Sequence, residues 1–172
     1  MYSARVRHVP KVCAYLTRGG GELLVFEGPE YDGLQVPKGT VEPDETPVAA
    51  LFREVEEESG LRLDTEVTCL ARDVWTRRRS PPKRYVRHFF HATVDEPRDR
   101  WTHTVTGDGD EEGLEFAFSW VDLPPAREFA FDLDDYVHLL ASEDADRSSS
   151  NGEQSDVTAR ERTSTSTGRR GR

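Results

Sequence analysis

Three glutamates, Glu54, Glu57 and Glu58, recur at spacings of three and four within residues 47–59. Thr46 suits an N-cap there, Pro47 the first helical position and Gly60 the stop, so the segment is predicted to be one helix. On a helical wheel the glutamates share an arc of roughly 100°, beside an apolar stripe of Val48, Leu51, Phe52 and Val55 expected to face a sheet. Like charges at such spacings destabilise a helix by roughly 0.2–0.5 kcal/mol per pair, and the macrodipole opposes them in its C-terminal half. A hard divalent cation offsets both costs, since Mg²⁺ takes carboxylate oxygens and keeps waters that can serve phosphates or act as nucleophiles. Between Gly39 and Leu61 there are seven carboxylates and one arginine, Arg53, which neutralises only part of the cluster. The alternative is a solvated acidic face.

The elements that must hold this helix are legible around it. Residues 11–18 and 22–27 are predicted strands joined by a Gly-Gly-Gly turn, and Leu34-Gln35-Val36 a short strand stopped by Pro37 and Gly39. Residues 66–76 and 84–94 are β-rich and bracket a basic, proline-containing connection; 97–113 form a polar loop, 114–121 alternate as a strand, and 133–141 suit a closing helix. From Ser142 onward almost nothing is available to bury, so 1–141 is expected to be the folded domain and 142–172 a disordered polar tail.

With 172 residues and 35% hydrophobic content the chain supports one core. Acids and bases balance beyond Ser142, so the net charge of −10 resides in residues 1–141. A domain of that sign does not bind nucleic acid by bulk charge. Cys13 and Cys69 match no metal or redox spacing and are expected to be buried, reduced thiols. The N-terminus lacks a signal core and no apolar run of 18 residues occurs, which points to a cytoplasmic protein without a membrane partner.

Gly39, five residues, Glu45, seven residues, and then Arg53-Glu54-Val55-Glu56-Glu57-Glu58-Ser59-Gly60-Leu61 resembles the signature of the Nudix hydrolases at every fixed position. The resemblance implies an α/β/α sandwich with a mixed β-sheet and a loop–helix–loop site for Mg²⁺ or Mn²⁺. It implies that Glu57 and Glu58 are the main metal ligands, that Glu54 is a ligand or general base, and that Gly39 contributes its carbonyl. Glu45 and Arg53 become an orienting ion pair. In this family a later loop often supplies a further acid; in Gly107–Gly113, Glu112 is the choice, with an ordinary loop acid as the alternative. The implied reaction is attack of metal-activated water on a diphosphate linkage of a nucleoside diphosphate or polyphosphate derivative. A non-catalytic nucleotide-sensing module and an RNA 5′-end pyrophosphohydrolase are the alternatives, and isomerase chemistry on the same fold is remote.

Substrate contacts are sought in the basic island Arg77–His88, which carries six bases and no acid. Guanidinium groups match phosphate oxygens, making Arg77, Arg79, Arg84 and Arg87 candidates, with Lys38 beside the box glycine and Tyr85 as a surface for a base; a hairpin tip that merely balances charge is the other reading. Trp75 and Trp101 are expected in the core, and His88 and His91 as hydrogen-bonded strand residues on opposite faces. The expected partner is a small nucleotide rather than nucleic acid. Oligomeric state is left open, a homodimer being one option.

Overall fold

A computed structural model describes residues 5–78 and 82–140 and the backbone of 160–164. Strands β1 (Arg7–Arg18) and β2 (Glu22–Glu27) form the expected hairpin, with Gly19 and Gly21 at positive φ in the turn. Along its other edge β1 pairs in parallel with β5 (Lys83–Thr93), which pairs antiparallel with β4 (Thr68–Arg77). β2 pairs with β7 (Glu115–Asp122), and β7 with β6 (Arg100–Thr104). Among the described residues this makes one eight-stranded mixed sheet, the sheet type implied by the family resemblance.

Alternation along the strands splits the core in two. Val12, Ala14 and Leu16 face helix α1 (Pro47–Ser59), whereas Cys13 and Tyr15 face the segment around Leu133–Leu140. In the third layer a 3₁₀ turn at Ala130–Asp132 precedes the segment expected to close the domain as a helix; of that segment the described residues form a turn at 133–136 and a 3₁₀ turn at Val137–Leu139, with Leu140 helical. Phe131 and Asp132 adopt positive φ, so no helix continues from the first turn into 133–140. The short strand also differs. β3 is Lys38–Thr40 and runs against Lys11–Cys13, so the chain is paired where Pro37 and Gly39 were expected to stop it. Proline is tolerated because it precedes the strand, and its carbonyl accepts from the Ala14 amide at 2.8 Å. Within the expected loop 97–113, residues 100–104 are the edge strand β6.

Helix α1 begins and ends as its sequence dictates. Thr46 Oγ1 accepts from the Ala49 amide at 3.2 Å, and Gly60 closes the helix at φ 77°. Its rotation differs from the expected one: Val48 and Phe52 are exposed, while Leu51, Val55, Glu58 and Ser59 are buried. Glu58 lies only about 20° from Leu51 on the wheel, so packing against β1, β3 and β6 turns a carboxylate into the middle of the buried face. Cys13 is buried as expected, but Cys69 is exposed, next to a bulge in the β4–β5 ladder. No helix among the described residues is long and apolar enough to cross a membrane. The 142–172 segment expected to be a disordered tail lies mostly outside the described residues; within it, the backbone of residues 160–164 forms β8, paired in parallel with β4.

Candidate active site

The acidic face of α1 borders an open cleft of about 330 Å³, lined also by β1, β3 and the loop 105–112. Arg53 organises its rim. The guanidinium is bidentate to Glu45 at 2.8 and 2.9 Å, reaches Glu54 at 2.9 Å and Glu57 at 3.2 Å, and donates to the Thr40 carbonyl at 2.9 Å. The loop leading into α1 and the helix itself are thereby tied to one cation. Glu45 is held below the usual carboxylate range by its hydrogen bonds with Arg53.

The helix glutamates behave differently. Burial pushes Glu54 up to about 7 despite Arg53 beside it, and burial also raises Glu57. Glu58, 1% exposed, is raised well above its ordinary range by burial, opposed by Lys38 and reinforced by Glu111. Glu58 Oε2 accepts from the Lys38 amide at 3.1 Å, whereas its buried Oε1 has no hydrogen-bond partner. An unpartnered buried carboxylate oxygen is costly without a compensating charge. Among the described residues no three acidic or His/Cys side chains are already gathered as a ligand set, since Arg53 engages Glu54 and Glu57. The donors are all hard oxygens bordering one cleft, and they fit a divalent cation of the Mg²⁺ or Mn²⁺ type.

Gly39 is required here for space. A Cβ on it would coincide with the Glu54 carboxyl group. Gly39→Ala is therefore expected to displace Glu54 and cut turnover by about 100-fold, the scale of a 1 Å misplacement, while the melting temperature changes little. Steady-state rates with a thermal melt check this; a wild-type rate in the alanine variant refutes the packing argument.

Several site residues escaped the sequence reading. Lys11 on β1 lines the cleft. Glu111 is the loop acid that acts on Glu58, whereas the expected Glu112 is exposed and lines the cleft without that interaction. Gly107, at φ 99°, lies against the Glu57 carboxyl, 2.7 Å from where its Cβ would be. The end of α1 is held by β6 and its following loop. His103 Nε2 lies 3.1 Å from the Glu57 carbonyl, the Thr106 amide donates to that oxygen at 3.0 Å, and Trp101 Nε1 donates to the Ser59 carbonyl at 3.0 Å. The alternation of Trp101 and His103 was the available signal, hidden in a stretch that reads as loop.

The expected substrate residues scatter. Lys38 lines the cleft, with Nζ 2.8 Å from Gln35 Oε1. Arg77 and Tyr85 lie half-buried on the sheet face away from α1, and Arg84 has the opposite parity on β5. Arg79 lies outside the described residues. Arg87 is turned into the interior rather than into the cleft: it is 3% exposed and its guanidinium is bidentate to Asp73 at 2.8 and 2.6 Å and 3.0 Å from Asp135. Its cross-strand partner is Asp73, so the ladder itself created a buried ion pair that a count of bases could not reveal. Trp101 is packed on Phe118 as core, and His88 and His91 are hydrogen-bonded to the Lys11 carbonyl and Thr17.

Known proteins resemble this chain in sequence and in fold. An RNA pyrophosphohydrolase of Pseudomonas putida is 38% identical over 93 residues, covering 54% of this chain and 57% of that protein. The match thus spans little more than half of the length of the relative. A MutT protein from Methanosarcina mazei Go1 superposes with a TM-score of 0.59 at 21% identity, covering 83% of this chain and 99% of the other. A MutT NUDIX hydrolase from Burkholderia pseudomallei gives 0.55 at 22% identity, covering 77% and 97%. These two structures establish the shared fold. The NUDIX domain model matches residues 7–140, spanning the sheet, the carboxylate helix and the cleft together, and the chain belongs to that family.

Proposed function

We propose that this protein is a pyrophosphohydrolase that uses a divalent cation, Mg²⁺ or alternatively Mn²⁺, to hydrolyse a diphosphate linkage in a nucleoside diphosphate or polyphosphate derivative. The observation that carries the reading is Glu58, buried on the cleft side of α1 with an unpartnered carboxylate oxygen. Glu57, Glu58 and Glu54 would hold the cation, with the Gly39 carbonyl and an acid of the 107–113 loop, for which Glu111 is now a better candidate than Glu112. When bound, the cation supplies charge to screen phosphate oxygens and lowers the pKa of water.

The chain's own groups supply the rest. Glu54 Oε1 is engaged by Arg53, leaving Oε2 as the atom to accept a proton from the attacking water. Arg53, anchored by Glu45, orients Glu54 and Glu57. Lys38 presents positive charge to the phosphates at the cleft edge. Incubation with nucleoside di- and triphosphates, sugar nucleotides, dinucleotides and a triphosphorylated RNA oligonucleotide, with Mg²⁺ or Mn²⁺, tests the reading through released phosphate or mononucleotide. Absence of turnover on every member overturns it, and tight binding of an intact ligand points to the sensing module.

An RNA 5′ end is the second reading, favoured by the name of the Pseudomonas relative. The loss of Arg87 to the interior weakens the basic island on which an RNA backbone would rest. We assign the protein to the cytoplasm, supported by two unpaired cysteines. The catalytic unit is assigned to residues 1–141, because every residue lining the cleft among those described falls between Lys11 and Glu112. Deletion of 142–172 removes the edge strand β8 but no residue lining the cleft, so kcat is expected to stay within about twofold of wild type; a large loss in the truncated protein refutes this boundary.

A further inference from the structure

The end of α1 that carries Glu57 and Glu58 is also the end that leaves backbone oxygens open. The last four carbonyls of a helix have no partner within it, and the final turn of α1 contains no lysine or arginine to meet them. β6 and the residues just after it supply neutral donors instead. Two converge on the Glu57 carbonyl: the Thr106 amide at 3.0 Å and His103 Nε2 at 3.1 Å, which carries its proton there because a carbonyl oxygen only accepts. Trp101 Nε1 donates to the Ser59 carbonyl at 3.0 Å. The approach needs Gly60, since a Cβ on it would stand 3.0 Å from His103 Nδ1. Arg100, Thr102 and Thr104 have the other parity on β6 and are exposed.

The same strand launches the loop that faces these glutamates. Its base is closed by the Val105 amide donating to the Leu114 carbonyl at 2.8 Å and by the Gly113 amide donating to the Val105 carbonyl at 2.9 Å. Within it Gly107 lies against the Glu57 carboxyl, while Asp108 and Glu111 bear on Glu57 and Glu58 respectively. Glu57 is therefore held at its carbonyl by His103 and Thr106 and met at its carboxyl by Gly107, all from one short stretch of chain. Whatever fixes β6 to the helix end fixes the loop acid as well.

We propose that Trp101 and His103 are positioning residues of the carboxylate site: by clamping the last turn of α1 to β6 they hold Glu57, Glu58 and the loop acid Glu111 in one register, and so set the affinity for a divalent cation. The proposal rests on the hydrolase reading for the cation that these acids bind. Helix ends fray, and a carboxylate on the last turn moves with the backbone that carries it. The two side chains touch neither the cleft nor one another's acceptor, so their effect on the acids passes through the Glu57 and Ser59 carbonyls. What matters in His103 is its Nε2 donor, and in Trp101 its Nε1 donor.

Binding of Mn²⁺ alone, followed by electron paramagnetic resonance and paired with metal-free thermal melts, tests this without any substrate. Partners that orient metal ligands typically cost 10–100-fold in metal affinity when removed, so His103→Ala is expected to weaken Mn²⁺ binding by about 10–100-fold. Trp101→Phe keeps the ring that packs on Phe118 and drops one donor, for a loss of about 2–10-fold. His103→Gln, whose amide nitrogen can stand in for Nε2, recovers most of the affinity, and Thr102→Ala, on the outer face of β6, leaves it unchanged. Wild-type Mn²⁺ affinity in both His103→Ala and Trp101→Phe, with only the melting temperature lowered, overturns the proposal. So does an equal loss in His103→Ala and His103→Gln, because the hydrogen bond is then not what acts. Turnover separates the clamp from the hydrolase reading: if no diphosphate substrate is cleaved, yet wild type binds Mn²⁺ and His103→Ala binds it more weakly, that reading fails and the clamp stands.

Discussion

Glu58→Gln and Glu57→Gln are each expected to lower turnover by more than the 10–100-fold that outer-shell partners of a metal typically cost, with the metal-free fold intact. Gln preserves length and helix propensity. What it removes is the anionic oxygen that, at Glu58, is buried without a partner. The same loss relieves the apo protein. Glu54, Glu57 and Glu58 all have folded-state pKa values raised by burial, so the native state holds their protons more tightly than the unfolded chain. Their ionisation costs nothing below the unfolded value near 4.5, and the cost accumulates as pH rises through the folded value, about 7 for Glu54. Without metal, the melting temperature should therefore fall between pH 4.5 and somewhat above 7; Mg²⁺ should reduce that fall, and Glu58→Gln should melt no lower than wild type at neutral pH. Melts across pH, with and without Mg²⁺, alongside hydrolysis rates decide the matter. Variants that turn over normally and keep the full metal-dependent gain in melting temperature would defeat the assignment.

Arg87→Ala should act on the fold. The Asp73 side chain is fully buried and receives both Arg87 and the Tyr136 hydroxyl, the latter at 2.9 Å. Removing the guanidinium leaves an uncompensated buried carboxylate, a loss of about 3–5 kcal/mol against a total stability of about 5–15 kcal/mol. Lysine should not rescue it, because the bidentate fork and the donation to the Phe131 carbonyl both need guanidinium geometry. An Arg87→Met, Asp73→Leu double variant should recover part of the loss, since the pair is then replaced rather than broken. Urea unfolding supplies the measurement. A wild-type midpoint with a raised KM in Arg87→Ala would instead return this residue to the substrate site.

The contrast between Arg53 and Arg87 marks what could be read from the chain. Arg53 and its partners Glu54 and Glu57 are one and four residues apart, and Glu45 is fixed by the loop that caps the helix, so local geometry dictates their meeting. Arg87 meets Asp73 only through strand register and meets Asp135 only after the chain returns across the sheet. Helix limits, the first hairpin and the β4–β5 pair follow from caps, glycines and alternation. The rotation of α1 does not, because a wheel with both Val48 and Glu58 on plausible inner arcs is decided by which neighbours arrive, here β3 and β6. β6 itself was missed because its alternation is short, bounded by charges, and carried by Trp101 and His103, whose role is to bond the end of α1.

The parallel ladder between β1 and β5 joins Arg7 to Lys83, partners 76 residues apart, and such long-range pairing is slow relative to local helix or hairpin formation. During synthesis, at roughly 5–20 residues per second, the glutamate helix emerges seconds before Thr106, the last residue that bonds its C-terminal turn. A nascent chain thus carries the acids of the site well before it carries the scaffold that aims them. A fully assembled cleft arrives late in the making of each molecule, timed by the connectivity of the sheet rather than by how quickly a helix can form.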